Sequence, residues 1–492
     1  MVLRGPRCKA LRFLSRDELN QIHESTLEVL ANVGMHSDSD SIVEIFDNAG
    51  ADVDRKTRRI RIPEHLIKET LRKTPRQYVL CGRSPRYDIL LESGRVYFGM
   101  GGTPTPFIRD LESGEIRRPT KKDMADSTRL GDALSNMSFV MSIAGAFDVP
   151  YEAEYIHEFD ALFNNTEKPI IYSTPSGEET RIVASMASAI VGGAEELQKR
   201  PIFSVYCETT SPLMFSSSND NMIECAKAGI PVTLGPAPLL GASAPVTLSG
   251  AAVISNSENL AAMALLQLVK PGTPVNYACW SVSLDPRTGI ACYGAPENAL
   301  SFGVINGQLA EFYDLPSFGL GGAVDSKIPD AQAGCEMTLV GMTNALSGVS
   351  LIHDHGYLAS GSVGSMEMAV VANEVAGYIL RVVKGIKVDE ESLAVDVIKN
   401  VGPGGQFLSQ KHTLKFLERE IYVPEIFDKR PVDAWTKDGK KDIAQIAREK
   451  AKKILKEHHP ESLPRDVAQR ITEIVKAAER GSVGKKPSSK PK

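Results

Sequence analysis

Six aromatic side chains in this 492-residue chain lie at or near the ends of predicted strands, although only 6% of its residues are aromatic. Several aromatic faces around one point attract a quaternary ammonium cation. The same rings could instead fill the mouth of a barrel. If Trp280, one of two tryptophans, contacts a cation, its removal should raise KM and leave the fold intact. The candidate substrate-binding rings are Tyr97, Phe98, Tyr206, Tyr277, Trp280 and Tyr357.

A His353-Asp354-His355 run holds two of the nine histidines. Alternate residues of a strand face the same side. The run therefore predicts that His353 and His355 point into a shared lumen and that Asp354 points away. There the imidazoles could hydrogen-bond a substrate or its carboxylate, or they could simply pack. We assign His353 a catalytic role and His355 a substrate-binding role.

A metal site is not expected. Zinc needs three or four thiolate, imidazole or carboxylate ligands, and the chain has no C-x-x-C or H-x-C pair. Its seven cysteines are an odd number without a repeating spacing, which is typical of reduced thiols in the cytoplasm. The four cysteines that could be proposed as ligands are Cys207, Cys279, Cys292 and Cys335.

Asp325 is the second candidate catalytic residue, because it follows an apolar run and so lies at a predicted strand end. Asp330, five residues later, has the position of an N-cap for the next helix. Neither a nucleophile elbow nor a P-loop is present. The Gly402-Pro403-Gly404-Gly405-Gln406 run is rich in glycine but lacks the Lys-Ser/Thr of a Walker A loop.

The elements that position these residues alternate between strands and helices. From about residue 138, seven apolar runs recur, each followed by a helical stretch, and five begin with proline. Such alternation requires parallel strands with helices outside. With an eighth strand near Val96–Phe98 or Val397, the pattern predicts an α/β fold, a (β/α)8 TIM barrel. A doubly wound sheet is the alternative, but its G-x-G-x-x-G turn is missing at Ile143–Asp148.

Three regions follow from this pattern. Residues 1–137 are predicted to form a helical cap and a β-meander, residues 138–435 the barrel, and residues 436–492 a basic helical tail with a solvated, mobile end. No signal peptide and no apolar run long enough to span a membrane is recognisable, so we expect a cytoplasmic protein.

The charge distribution argues against nucleic acid as a partner. The chain has 56 basic and 61 acidic residues, a net charge of −5. Residues 437–492 hold 16 of the basic and 8 of the acidic residues, which leaves 40 basic and 53 acidic residues for the rest. Binding to phosphates favours the opposite sign.

Over residues 14 to about 435, the sequence resembles the trimethylamine methyltransferase superfamily. The founding trimethylamine enzymes carry pyrrolysine, whereas this chain has only the twenty standard residues, so it resembles the non-pyrrolysine branch and its glycine betaine:corrinoid protein methyltransferases. The matching segments are Gly99–Pro104, Gly322–Glu336, and Gly402–Leu408 followed by His412-Thr413.

This resemblance implies transfer of a methyl group from a quaternary amine to the Co(I) of a corrinoid. The corrinoid would belong to a partner protein rather than being bound permanently. Glycine betaine, which would give dimethylglycine, is the preferred donor; carnitine, proline betaine and γ-butyrobetaine are alternatives. A zinc-dependent barrel methyltransferase and a non-catalytic betaine-binding protein are the other classes considered. The chain could also form a homo-oligomer.

Overall fold

The computed structural model describes residues 2–482, and its centre is a closed barrel of eight parallel strands. The eighth strand pairs with the first, and a parallel bridge between Tyr277 and Ser317 joins the sixth to the seventh. The predicted (β/α)8 TIM barrel is confirmed. In chain order its strands are Tyr97–Met100, Met137–Val140, Ile170–Ser173, Phe203–Cys207, Val232–Leu234, Val275–Asn276, Phe318–Leu320 and Leu351–His355.

The sequence offered two positions for the one remaining strand of the barrel. The structure places this strand at Tyr97–Met100, whereas the other position, near Val397, lies in the helix Val395–Val401. The barrel therefore begins before residue 138 and takes its first strand from the predicted N-terminal region. All four residues of this strand are buried. Its burial on both faces removes the alternation that marks a half-exposed meander strand.

One helix or helical stretch follows each barrel strand and covers the outside of the barrel. Asp330 is confirmed as an N-cap, because its side chain accepts a hydrogen bond from Ala333 N at 3.0 Å. In chain order, the helices on the outside of the barrel are Lys121–Ala133, Glu154–Asn165, Gly177–Val191 with Ala194–Lys199, Asp220–Ala228, Leu248–Val269, Pro296–Asn298 continuing through a π-helix at Ala299–Ile305 to Asn306–Tyr313, Ala331–Ser347 and Met366–Val383.

The helix Leu248–Val269 is long and apolar enough to cross a membrane by length and composition, but most of it is buried inside the protein. Its apolar surface packs in the same core as the barrel helices. Burial therefore explains its composition.

The N-terminal region closes one end of the barrel. The antiparallel strands Gln77–Leu80 and Ile89–Glu92 place Leu80, Ile89 and Leu91 in one cluster with residues inside the barrel. The opposite end, where the strands finish, stays available for a site. The other elements before the barrel are the helices Arg16–Asn32, Asp40–Asn48 and Glu64–Lys73, a short 3-10 turn at Pro85–Tyr87, and the strands Met35–Ser37, Asp52–Asp54 and Arg59–Arg61.

Short strands and 3-10 turns lie in the loops that connect the barrel strands to the outer helices. The strands Phe107–Arg109, Ile116–Arg117, Tyr357–Leu358 and Val363–Ser365 form one small sheet, and Ser283–Leu284 pairs with Ala291–Cys292. The strand Met214–Phe215 extends the N-terminal sheet. Two further 3-10 turns are Tyr151–Ala153 and Ser217–Asn219.

The last two C-terminal helices, Ile443–Glu457 and Arg465–Ser482, pack against the barrel helices. His458 Nε2 lies 2.8 Å from Asp132 Oδ2, and His157 Nε2 lies 3.0 Å from Glu479 Oε1. The predicted helical tail is thus docked through ionisable contacts, while its predicted mobile end at residues 483–492 lies outside the described residues. The full set of helices that follow the last barrel helix is Glu390–Leu393, Val395–Val401, Lys411–Glu420, Val432–Lys437, Ile443–Glu457 and Arg465–Ser482.

Candidate functional site

A cavity of about 100 Å³ lies where the barrel strands end. This is the edge of a (β/α)8 barrel at which side chains from different strands converge. The volume is well below the roughly 300–1,000 Å³ of pockets for drug-sized ligands. It therefore suits a ligand of only a few heavy atoms. Its lining includes Thr103, Tyr206, Glu208, Trp280, Tyr293, His353, Asp354, Tyr357 and Ser360.

Four of the nine predicted site residues line this cavity, and they come from different parts of the barrel. Tyr206 lies in the fourth strand, His353 in the eighth, and Trp280 and Tyr357 lie just beyond the sixth and eighth strands. The Tyr357 hydroxyl donates to the carbonyl oxygen of Thr103, which joins two loops of the cavity wall.

The other predicted rings lie elsewhere. Tyr97 donates its hydroxyl to Leu90 O at 2.8 Å, near the closed end of the barrel. Tyr277 donates to Asn256 Oδ1 at 2.7 Å and packs against a barrel helix. Phe98 and His355 form an edge-to-face pair 5.2 Å apart in the layer between strands and helices. These four side chains make hydrogen bonds or packing contacts away from the cavity, so they do not form part of a cation cage there.

Asp325 also lies outside the cavity lining. Its carboxylate accepts hydrogen bonds from Tyr293 N at 2.8 Å, Gly294 N at 3.1 Å and Ser360 Oγ at 2.8 Å. The bonds hold two loops together and place Tyr293 and Ser360 in the cavity wall. The geometry therefore gives Asp325 a positioning role.

The predicted alternation through His353-Asp354-His355 was wrong at Asp354. This residue has φ +71°, in the left-handed region, so the strand geometry is interrupted. As a result, His353 and Asp354 both line the cavity, and His355 faces away with Nδ1 3.0 Å from Gly99 O. Burial lowers the pKa of His355 to about 4, so it is neutral at physiological pH.

Three buried ring nitrogens in the cavity wall have no hydrogen-bond partner within residues 2–482. They are Trp280 Nε1, which always carries a hydrogen, and Nδ1 and Nε2 of His353. The His353 ring stacks on Phe318 at 3.9 Å, and its Nδ1 lies 2.8 Å from Asp354 Oδ1 without hydrogen-bond geometry. A buried unpaired donor is costly. The cavity is therefore suited to a ligand that brings an acceptor.

Glu208 is the main functional candidate that the sequence reasoning missed. Its carboxylate faces the cavity and accepts a hydrogen bond from the Tyr206 hydroxyl. Enclosure by protein raises its pKa, with a further raising effect from Asp354, while the Tyr206 bond and His353 act in the opposite direction. Tyr206 and Glu208 are two residues apart at a strand end, and this spacing could have identified Glu208.

A second carboxylate fixes the loop that follows Glu208. Glu258, on the helix Leu248–Val269, accepts hydrogen bonds from Ser211 Oγ and Leu213 N, both at 2.8 Å. Thr209 Oγ1 adds a third at 3.2 Å. Burial raises the pKa of Glu258 to about 7. The loop beyond the fourth strand is thus tied to a core helix, which limits the positions open to Glu208.

Comparison with known proteins identifies the family. A profile described as "Trimethylamine methyltransferase (MTTB)" matches residues 4–481. The chain belongs to the trimethylamine methyltransferase family.

Relatives in this family are similar along almost their whole length. Trimethylamine methyltransferase MttB of Desulfitobacterium hafniense is 38% identical over 94% of this chain and 93% of the relative. MttB of Methanosarcina barkeri is 33% identical over 96% of each chain. The glycine betaine methyltransferase of D. hafniense is 31% identical over 95% of this chain and 97% of the relative. The protein is therefore a methyltransferase.

The methyltransferase has no group of three or more His, Cys, Asp or Glu side chains arranged for a metal ion within the described part of the chain. We expect a chelator such as EDTA to leave its activity unchanged and the purified enzyme to contain no stoichiometric zinc. Metal analysis beside an activity assay checks this. Loss of activity on chelation, restored by zinc, would support the zinc-dependent class instead.

Proposed function

We propose that this enzyme transfers a methyl group from glycine betaine to the Co(I) of a corrinoid protein. The observation that carries the proposal is that groups able to bind a cation and a group able to bind an anion line the same small cavity. The carboxylates of Glu208 and Asp354 and the aromatic faces of Trp280 and Tyr206 can bind a cation. The N–H of Trp280, which has no hydrogen-bond partner, can bind an anion. Glycine betaine is a zwitterion that can satisfy both kinds of group.

The cationic end of the donor is expected near the carboxylates and rings. Attraction by a ring quadrupole contributes about 0.5–2 kcal/mol, and a carboxylate adds Coulombic attraction in the enclosed cavity. The carboxylate of the donor would then accept a hydrogen bond from Trp280 Nε1. Both contacts orient the donor, which lowers the entropic part of the barrier.

The donor itself makes an acid catalyst unnecessary. A quaternary nitrogen has no lone pair, and it leaves as a neutral tertiary amine when the carbon–nitrogen bond breaks. The nitrogen loses its positive charge in the transition state, so very strong binding of the cation would favour the substrate over the transition state. The hydrogen bond that the Tyr206 hydroxyl donates to Glu208 suits this balance, because it disperses part of the negative charge facing the nitrogen.

The corrinoid acceptor does not fit inside the cavity, since about 100 Å³ leaves no room for its macrocycle. We therefore place it on a separate protein that approaches the open end of the barrel, where its Co(I) would supply the nucleophile. The reaction is proposed to take place in the cytoplasm, and all seven cysteines of the chain are free thiols.

Trimethylamine is the second candidate donor, because the relatives of 38% and 33% identity are named for it. It has no carboxylate, so it would leave the N–H of Trp280 without a partner. It also has a poor leaving group unless it is activated. The cavity therefore favours glycine betaine.

The test is a donor screen with free cob(I)alamin, followed by the spectral change on cobalt methylation. Glycine betaine is expected to react and to release dimethylglycine. Tetramethylammonium, which has the methyl donor but no carboxylate, should react much more slowly, and trimethylamine and dimethylglycine should be inert. Rapid demethylation of trimethylamine would contradict the mechanism, whereas a preference for carnitine would contradict only the choice of donor.

A further inference from the structure

Two segments singled out in the sequence, Gly99–Pro104 and Gly322–Glu336, meet at Asp354. The first segment continues from the first barrel strand and the second follows the seventh, and both of these strands pair with the eighth. The carbonyl oxygen of Gly101 accepts a hydrogen bond from Asp354 N at 2.7 Å. On the other side, Gly322 N donates at 2.9 Å to the carbonyl oxygen of the residue before Asp354. The backbone at Asp354 is therefore held from both neighbouring strands.

Asp354 is held in a conformation that costs stability. Its φ of +71° lies in the left-handed region, and its side chain is only 6% exposed. Within residues 2–482 its carboxylate accepts no hydrogen bond, and His353 Nδ1, which lies 2.8 Å from Oδ1, is outside hydrogen-bond geometry. A buried carboxylate without a partner is unfavourable. Because this carboxylate lines the cavity, a ligand with a positive charge would supply the missing partner.

Glu208, the other carboxylate in the cavity lining, differs from Asp354 in this respect. It accepts a hydrogen bond from the Tyr206 hydroxyl. Burial raises the pKa of Glu208, and the negative charge of Asp354 raises it further, because the two carboxylates face one enclosed space. Of the two, Asp354 is the one without a hydrogen bond from the described part of the chain, so it would gain more from a cation beside it.

Gly102 provides the space into which the Asp354 carboxylate turns. A Cβ atom at this position would lie 2.1 Å from Asp354 Oδ1 and 3.0 Å from the Tyr357 hydroxyl oxygen. Both atoms are at the far ends of side chains, so an added methyl group would displace them without moving the backbone. Gly101 differs, because its Cβ would meet the Ser142 carbonyl oxygen at 2.4 Å and its φ is +76°. Glycine is thus needed for the backbone at Gly101, and for the position of a carboxylate at Gly102.

We propose that Gly102 is a positioning residue that makes the cavity selective for a cation, because it leaves room for the unpaired carboxylate of Asp354. The nature of the ligand, a quaternary ammonium group, rests on the proposed function. Such a group would compensate the buried negative charge of Asp354. A neutral group of the same shape would leave that charge buried and unpaired. Selectivity for the cation therefore depends on Asp354, and on Gly102 through Asp354.

Calorimetric binding to the full chain tests this selectivity without cobalt. Glycine betaine is compared with 3,3-dimethylbutanoate, which has the same shape but a carbon atom in place of the nitrogen. The wild type should prefer glycine betaine, and Asp354→Asn should reduce this preference by about 10-fold or more. Gly102→Ala should reduce it similarly, and the double variant G102A/D354N should be no worse than Asp354→Asn, because both changes remove the same contact. The control Gly334→Ala adds a Cβ with no atom within 4 Å and should keep the wild-type preference.

Thermal unfolding separates this role from a structural one. Asp354→Asn keeps the shape of the side chain, and asparagine also tolerates a left-handed backbone. Removal of the buried charge should therefore leave the unfolding temperature unchanged or higher, whereas Gly101→Ala should lower it. A marked fall in the unfolding temperature of Asp354→Asn overturns the proposal. So does an undiminished preference for the cation in Asp354→Asn or in Gly102→Ala.

A second pair of ligands separates this inference from the choice of donor. Choline and 3,3-dimethylbutanol also differ by nitrogen against carbon, and neither has a carboxylate. If glycine betaine fails to bind but the wild type prefers choline, and Asp354→Asn and Gly102→Ala reduce that preference, the proposed donor is wrong and the roles of Asp354 and Gly102 are supported. If the wild type prefers the cation in neither pair, the inference itself is overturned.

Discussion

Glu208→Gln is expected to lower kcat/KM for glycine betaine by about 100-fold, which corresponds to ~2.7 kcal/mol. The change keeps the shape of the side chain and removes the negative charge that faces the cavity. Because the carboxylate is enclosed by protein, its attraction for a cation is screened less than at a surface. Steady-state kinetics with free cob(I)alamin measure the effect, and thermal unfolding shows whether the fold is kept.

Glu158→Gln is the matched control for this variant. Glu158 is also a buried carboxylate, and it accepts hydrogen bonds from Ala146 N and Tyr172 Oη at 3.0 Å, away from the cavity. Burial raises its pKa to about 8, so it is largely protonated at neutral pH and an amide is a close substitute. Equal losses in the two variants, or wild-type kinetics for Glu208→Gln, would contradict the role given to Glu208.

The same role predicts the pH dependence. Burial raises the pKa of Glu208 above the ordinary value of 4.5, so the side chain takes up a proton at a higher pH than a free glutamate does. Only the ionised form attracts a cation. The kcat/KM should therefore fall as the pH is lowered, beginning above pH 4.5, and this acid limb should be absent in Glu208→Gln.

The barrel could be predicted from the sequence because its pattern is repeated. Seven apolar runs, each followed by a helical stretch, are compatible with only a few architectures. The N-cap role of Asp330 could be predicted from its residue type and its position before a helix. The first strand, Tyr97–Met100, was harder to assign because it is short and buried on both faces. The many short strands around the open end depend on contacts between distant loops, such as Gly364 beside Ile108, which no local pattern encodes.

The site was predicted only in part because aromatic residue type does not reveal direction. Tyr206 and Tyr277 both lie in barrel strands or directly after them, but one ring enters the cavity and the other packs on Tyr313. Strand alternation pointed to His353, and it failed at Asp354 because that residue adopts a left-handed backbone conformation. Tyr293 reaches the cavity from a loop held by Asp325, a contact between residues 32 positions apart.

Trp280→Ala should destabilise the protein by about 3–5 kcal/mol as well as raise KM. The sequence led us to expect that removal of the ring would leave the fold intact, but the packing around Trp280 contradicts this expectation. Trp280 is 1% exposed and packs against Phe302, Phe318 and His353, with ring centroids 5.8–6.3 Å apart. Loss of the ring would leave a cavity in the barrel, so this variant cannot separate binding from packing.

Trp280→Phe separates the two roles, because it keeps an aromatic face and removes only the Nε1–H and part of the ring. A hydrogen bond to a charged group contributes about 1.5–3 kcal/mol, so KM for glycine betaine should rise by about 10-fold or more. The already slow reaction of tetramethylammonium should change little, since that cation has no carboxylate. The control is Trp435→Phe, which removes the Nε1–H that bonds Lys441 O at 3.0 Å on a surface helix. An equal rise in KM for both donors would mean that Trp280 acts through its ring alone, and the carboxylate of the substrate would then have to bind elsewhere.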